Sequence, residues 1–500
     1  MKFNLILALI VLVAGLLFAL KHIAPPVRSD SIAIGLEQTN CWFDKKLWEL
    51  FTFCYYMNVP EDHGRPEGRM IQFPVVYFKS HNVFSDKAPV LHLGGGGPGG
   101  PMYLDYDDGV RSIKEEHDDF SLKQGRDLII IDVRGTGLAK PSLGCQHLVE
   151  LQFSAFQQDL SFAQEWDLHE ASYLQCIDEF KRSGHNLTHY NSTSVAKDIA
   201  LLNSSLKTNK LVLFGVSYGA VYAQEIARNT PKIVESMILD SAAFPHISMN
   251  QNYVNRTLAP YRTLYDYCSI INTCSDTAEG TRRRIWSIYR QLEQQPIEMN
   301  IVDYNTGEPL KAVLNGDRFI AAVFSGVYSM AVFYDLPQII EQLEVGITET
   351  IKPYFENYAT FMLDPQYGDV SAQAHYCSEV KPFIDMEKMR ESINSLPAGY
   401  IRESTLLYFE ANDFCQEMEI STVDSSFGEG QQVNVPTLFL HGKFDSITPL
   451  SDVTNEMALF PNSRLLTYAS AHSVMSAEEC AEISAGVFVE DPSAEDLSCQ

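Results

Sequence analysis

Short apolar runs rich in Val, Ile, Leu and Phe punctuate the chain at Ile71–Phe78, Ala88–Leu93, Asp127–Val133, Lys210–Phe214 and Ser236–Leu239. Runs of this length, with little polar alternation, read as strands buried on both faces. Between them, Ser194–Leu206 and Tyr218–Arg228 carry apolar residues at helical spacing. Strand alternating with helix predicts an α/β protein: a mainly parallel sheet flanked by helices on both sides.

The rhythm breaks after Pro245. From there to about Phe427 the chain is aromatic-rich and mostly helical in period, and the buried-strand pattern resumes only at Val435–Leu440. The pieces on either side of the gap each lack a closed core of their own. This predicts one sheet domain, residues 41–245 and 428–500, interrupted by a mostly helical cap, residues 246–427.

The N-terminus, residues 1–24, has a separate character. Lys2 precedes an apolar run from Leu5 to Leu20, which ends at Lys21 and the turn-prone Ala24-Pro25-Pro26. This is an export signal, and with no small-x-small cleavage site at its end a retained signal anchor is favoured over a cleaved peptide. Export to the periplasm or the exterior changes the reading of the ten cysteines. Disulfides are then expected rather than metal ligation, since no Cys/His cluster has zinc-ligand spacing. Proximity in the chain pairs Cys41 with Cys54, Cys145 with Cys176, Cys268 with Cys274, Cys377 with Cys415 and Cys480 with Cys499. A formal charge of -27 with no basic block argues against nucleic acid as a partner and fits neutral or cationic substrates.

Chemistry is concentrated at Gly215-Val216-Ser217-Tyr218-Gly219, a G-x-S-x-G placed where an apolar strand gives way to a helix. The glycines allow a sharp turn and close backbone approach, which presents the serine oxygen above the sheet edge. A serine hydroxyl needs an imidazole to take its proton. Of the histidines after Ser217, His246 and His375 fall in the interruption and His441 precedes the acid. His472, after the strand-like Arg464–Thr467, is the expected base. The expected orienting carboxylate is Asp445, on the turn after Pro436–Leu440; Asp240, ending Ser236–Leu239, is its rival and is read as structural. The N–H of Tyr218 is one expected oxyanion donor. The glycine-rich Leu93–Gly100 loop supplies another and lacks the lysine of a phosphate-binding loop.

Taken together, Gly96-Gly97-Pro98-Gly99, Asp132-Val133-Arg134-Gly135-Thr136-Gly137, the elbow at Gly215–Gly219, Leu239-Asp240 and Gly442-Lys443-Phe444-Asp445 with Thr448-Pro449 resemble the prolyl iminopeptidase and tripeptidyl aminopeptidase branch of the α/β-hydrolases. The resemblance implies the α/β-hydrolase fold, an oxyanion N–H at Gly97, and a bracing role for Asp132 and Arg134. Gly95, where prolyl iminopeptidases carry histidine, is closer to the tripeptidyl type, and Ala471 replaces a usual glycine. In the cap, Tyr376-Cys377-Ser378-Glu379 and Cys415 resemble the tripeptidyl segments. Family caps carry carboxylates that hold a substrate's α-ammonium, and Glu379 is the candidate here.

The expected activity is that of a serine-type aminopeptidase, which needs no cofactor or metal and no obligate protein partner. Through an acyl-enzyme it releases an N-terminal residue such as proline, or a short oligopeptide, from peptides with a free N-terminus. The alternatives are an esterase or amidase acting on small non-peptide substrates, and a non-catalytic binding module on the same scaffold.

Overall fold

The computed structural model describes residues 34–45, 51–245, 253–272, 276–396, 401–402, 404–406, 414–497 and 499; the N-terminal apolar segment lies outside them. Among the described residues, no helix is long and apolar enough to cross a membrane.

Eleven strands are described: β1 Gly35–Thr39, β2 Thr52–Pro60, β3 Met70–Phe78, β4 Val90–Leu93, β5 Leu128–Ile131, β6 Leu211–Val216, β7 Val234–Asp240, β8 Ile297–Asp303, β9 Glu308–Leu314, β10 Thr437–Gly442 and β11 Ser463–Tyr468. Nine form one sheet in the order β1-β2-β3-β5-β4-β6-β7-β10-β11. From β5 to β11 every neighbouring pair is parallel, while β1, β2 and β3 form an antiparallel flank. All four residues of β4 and of β5 are buried, as are the first five of β6, which is why these strands show as unbroken apolar runs. The architecture is the α/β-hydrolase fold.

Chain order places the site. From β4 the chain moves outward to β5, then returns to β4's other side with β6, so the loops leaving β4 and β6 diverge from neighbouring strands at one edge. Crevices at such reversals, outside the carboxyl ends of parallel strands, are where α/β sheets hold ligands. The helices Ser192–Leu206 and Gly219–Asn229 cover the sheet there, and the second begins two residues after Ser217.

Residues from Leu264 to Leu363 build a second core centred on Phe319, Phe333, Leu336 and Phe355, which Phe156 and Ala471 of the sheet domain join, while Val370, Ala374, Cys377, Phe414 and Met418 pack into the core of the sheet domain. The second core holds helices Ala278–Gln294, Gly316–Ser325, Ala331–Leu343 and Lys352–Met362. It also holds the antiparallel hairpin β8–β9, which a helical reading of this region does not include. Alternation over β8 is broken by Val302, half-buried where polar exposure is expected, so its period-2 signal is weak beside the long helices around it. The buried Arg318 guanidinium ties this layer to the sheet domain through Glu165, 2.9 Å from Nε, and through the carbonyls of Ala155, Phe156 and Gln158.

Cys41–Cys54, Cys145–Cys176 and Cys377–Cys415 are bonded. The expected Cys268–Cys274 pair involves Cys274, outside the described residues. Cys480 and Cys499 are not bonded: Cys499 follows the last helix, and its thiol meets that of Cys480 in a hydrogen bond.

Candidate active site

Ser217 sits immediately beyond β6 with φ of 53°, a left-handed conformation that costs a non-glycine residue about 1 kcal/mol or more. Its surroundings hold it there. The Ser217 N–H donates to the Asp240 carbonyl at 2.9 Å and its carbonyl accepts from Ala243 N at 3.1 Å. A Cβ on Gly219 would stand within van der Waals distance of the Leu93 carbonyl oxygen, and one on Gly215 would lie 2.8 Å from the Gly219 oxygen. Both glycines of G-x-S-x-G are therefore required by backbone crossing backbone. Tyr218, helical in backbone, caps the start of the helix that begins at Gly219.

The glycine-rich loop after β4 lies against this elbow. A Cβ on Gly95 would come 3.1 Å from Ser217 Cβ. Gly96 and Gly97 have φ of 82° and 73°, a turn open chiefly to glycine. The loop is anchored at its far end, where Asp132 accepts from Met102 N at 2.7 Å and from Leu138 N at 2.8 Å. Arg134, fully buried, pairs through Nε with Asp198 Oδ2 at 2.7 Å and donates to the Glu61 and His189 carbonyls. Both residues of the D-x-R-G-x-G turn brace it from within.

At the ends of β10 and β11 the structure brings Asp445 and His472 together, with Nδ1 2.9 Å from Oδ2. The other carboxylate oxygen, Oδ1, accepts from the N–H groups of Ile447 and Thr448, each at 2.9 Å, so the turn fixes the carboxylate before the imidazole meets it. Burial works to raise the Asp445 carboxyl, but the hydrogen bond and charge of His472, with His441 behind, outweigh it and hold the group below the ordinary range. With Nδ1 engaged by Asp445, Nε2 is the ring nitrogen of His472 left to accept a proton.

Asp240 accepts from Val474 N at 2.9 Å and Met475 N at 2.8 Å, and Ser241 Oγ accepts from Ser473 N at 2.9 Å. Its role is to hold the His472 loop. The Asp240 carbonyl also accepts from Ser217 N, so one strand end links the serine and histidine loops. No hydrogen bond runs from the Ser217 hydroxyl to His472 among the described residues. His441 lies behind the acid and bonds the Thr448 carbonyl at 2.8 Å.

The resemblance assigns Glu379 to a substrate ammonium. The structure brings it beside the elbow but seals it from solvent: its carboxylate accepts from Ser192 N, from Ser192 Oγ at 2.9 Å and from the Tyr218 hydroxyl at 2.9 Å. It therefore meets the crevice only through Tyr218. Burial pushes its carboxyl up to about 7, against the opposing pull of these donors.

Thr448 belongs to the Thr448-Pro449 motif, whereas Tyr328 and Tyr367 carry no motif that sequence reasoning picks out. Thr448 places its hydroxyl 2.8 Å from Asp445 Oδ2 and 3.0 Å from the Ser241 carbonyl. Tyr328 stands edge-on to His472 with ring centroids 5.2 Å apart. The ring of Tyr367 lies so close to Gly99 that a Cβ there would be 2.9 Å from it. No group of three His, Cys, Asp or Glu able to hold a metal occurs among the described residues.

An α/β-hydrolase-fold family model matches residues 97–281, and a TAP-like protein model matches residues 406–499. Serine protease Hip1 of Mycobacterium tuberculosis is 26% identical over 206 residues, 39% of this chain and 36% of that protein. Tripeptidyl aminopeptidase of Streptomyces coelicolor is 28% identical over 217 residues, covering 42% of this chain and 38% of the relative. The matched stretch is thus little more than a third of these relatives' length. Among solved structures, a serine hydrolase from Cycloclasticus zankles aligns with 87% of this chain and 98% of its own at 10% identity and a TM-score of 0.39.

Proposed function

Taking this chain as a serine peptidase-like α/β-hydrolase with a TAP-like C-terminal segment, we propose that it cleaves peptides from a free N-terminus, releasing one residue or a short oligopeptide. Ser217 is the nucleophile, His472 the base and Asp445 the group that orients the base. The observation that carries the reading is the 2.9 Å Asp445–His472 contact at the same sheet rim as the strained Ser217.

The geometry supports a stepwise course. As Ser217 Oγ attacks the scissile carbonyl, Nε2 of His472 takes its proton, and buried Asp445 stabilises the imidazolium. Negative charge on the carbonyl oxygen meets the N–H groups of Gly97 and Tyr218, donors of a kind worth about 3 to 4 kcal/mol each. The imidazolium then returns the proton to the leaving amine. Water, activated by the same imidazole, releases the acyl group and restores Ser217. Glu379 acts by fixing Tyr218.

Disulfides support an oxidising, extracytoplasmic location. Turnover of a free peptide anilide against its N-acetylated twin tests the exopeptidase reading. Loss of at least about tenfold in kcat/KM on blocking is expected, and equal turnover of both overturns it.

A further inference from the structure

Between helix Lys352–Met362 and helix Asp369–His375 the chain crosses from one core to the other: Leu363 belongs to the second core and Val370 to that of the sheet domain. The crossing, residues 364–368, runs between two turns of the site. On one side is the D-x-R-G-x-G turn, where Gly137 N donates to the Gln366 carbonyl at 3.1 Å and a Cβ on Gly368 would stand 2.6 Å from the Gly135 oxygen. On the other is the glycine-rich loop after β4, where Gly368 N donates to the Gly99 carbonyl at 2.8 Å. Side chains extend this second seam. The Tyr103 hydroxyl donates to Asp364 Oδ2 at 2.8 Å, and the Gln366 amide donates to Asp105 Oδ1 at 2.9 Å.

The loop rests on this segment, and its other end rests on the nucleophile. A Cβ on Gly99 would lie 2.9 Å from the Tyr367 ring and 2.8 Å from the Gly368 oxygen. From Gly99 the loop doubles back: Gly100 N donates to the Gly97 carbonyl at 3.3 Å, and a Cβ on Gly100 would overlap the Gly95 oxygen. Gly95 in turn packs against Ser217, where a Cβ would meet the serine Cβ at 3.1 Å. Backbone packed on backbone has no rotamer to absorb a shift, so a displacement at Gly99 passes on to Gly95, Gly96 and Gly97. Tyr103, at the far end of the loop, has φ of 49°, a left-handed conformation that persists in a non-glycine residue only where its surroundings hold it. Its bond to Asp364 is part of that hold.

We infer that residues 364–368 are the segment that positions the oxyanion loop, with Tyr367 and Asp364 as positioning residues for the Gly97 N–H. The inference rests on the serine-hydrolase reading above and adds to it a device outside the triad. The chain that joins the two cores also sets the place of an oxyanion donor, so packing in the cap bears on the chemistry at Ser217.

The test uses the whole protein and a trifluoromethyl ketone that carries the acyl part of an anilide or ester the wild type turns over. Ser217 Oγ adds to the ketone carbon, the carbonyl π pair becomes the oxyanion and the serine proton passes to His472, so inhibition depends on the oxyanion donors. The corresponding trifluoromethyl alcohol has the same outline and forms no adduct. Tyr367→Ala should raise the Ki of the ketone about 10- to 100-fold and lower kcat by a similar factor, while the Ki of the alcohol moves by less than about twofold. Tyr367→Phe keeps the ring on Gly99 and should stay within about threefold of the wild type in all three. An unfolded fraction lowers the apparent kcat but leaves Ki unchanged, so lost fold is not mistaken for lost position. An unchanged ketone Ki in Tyr367→Ala, or a loss shared equally by ketone and alcohol, overturns the inference. If the Ala variant does not accumulate, Tyr103→Phe decides: a rise of about three- to tenfold in the ketone Ki alone supports the inference, and an unchanged Ki overturns it. A wild type that the ketone inhibits no better than the alcohol defeats the serine-hydrolase reading and the inference with it, whereas a wild type that passes this check while the variants match it defeats the inference alone.

Discussion

The Asp445 carboxylate meets the His472 imidazole Oδ2 to Nδ1 at 2.9 Å, in a setting where both side chains are buried. The two residues come from the ends of adjacent strands, so the pairing is a property of the sheet rather than of a local turn. Asp445→Asn keeps the shape and changes the hydrogen bond. It should lower kcat by about 10³ to 10⁴ with little effect on KM. Steady-state kinetics on one peptide anilide, with circular dichroism to show that the fold persists, checks this.

Two glycines at the elbow should separate stability from chemistry. Gly219→Ala forces a methyl against the Leu93 carbonyl, backbone that cannot swing away. A loss of about 3 kcal/mol is expected, read as a lower urea midpoint. Gly95→Ala places its methyl 3.1 Å from Ser217 Cβ and 3.3 Å from the Val216 oxygen, tight but short of a hard overlap. That variant should fold and lose about 10- to 100-fold in kcat as the oxyanion loop shifts.

The Arg318–Glu165 pair fastens the cap. Both residues are buried, and the guanidinium also holds three carbonyls of the sheet domain. Glu165→Ala leaves that charge without its partner and should cost about 3 to 5 kcal/mol. Chemical denaturation followed by tryptophan fluorescence measures it.

Acid should weaken the sheet domain through His92 and His117, whose rings meet at 2.6 Å between Nδ1 and Nε2 behind Phe214. Burial drives His92 down to about 3 and His117 well below the usual range. Unfolded imidazoles titrate near 6.5, so the folded state takes up fewer protons below that value. Stability present above about pH 6.5 is then lost as pH falls, by about 2 kcal/mol per histidine at pH 5. His117→Phe should flatten this limb in urea midpoints taken from pH 7 to 5.

Glu379 should act in the opposite direction. Its carboxyl is raised from 4.5 to about 7, so the folded state holds a proton that the unfolded chain releases. Stability contributed by this group is highest below about pH 4.5 and declines as pH rises through 7. Glu379→Gln removes the decline, and its stability relative to the wild type should rise across that window by up to about 3 kcal/mol.

What was legible in the sequence was whatever burial makes uniform. β4, β5 and β6 are buried along nearly their whole length and stand out as apolar runs, and the crossings at Gly215 and Gly219 leave glycine no substitute. β1 and β2 carry no such mark. β1 is a half-exposed edge, and β2 mixes Thr, Cys, Tyr and Asn with its apolar residues. Tyr328 was invisible for another reason: it sits in the cap, and its relation to His472 is fixed only by packing between distant segments. Glu379 was found in position but not in setting, because its burial depends on Ser192 and Tyr218 closing over it.

Active-site labelling tests the central claim most directly. The folded protein is incubated with a fluorophosphonate, digested and mapped by mass spectrometry, beside the His472→Ala variant. The account predicts a single adduct on Ser217 in the wild type and labelling slowed by at least about 10³-fold in the variant. An adduct on another residue, or equal labelling rates in the two proteins, would contradict it.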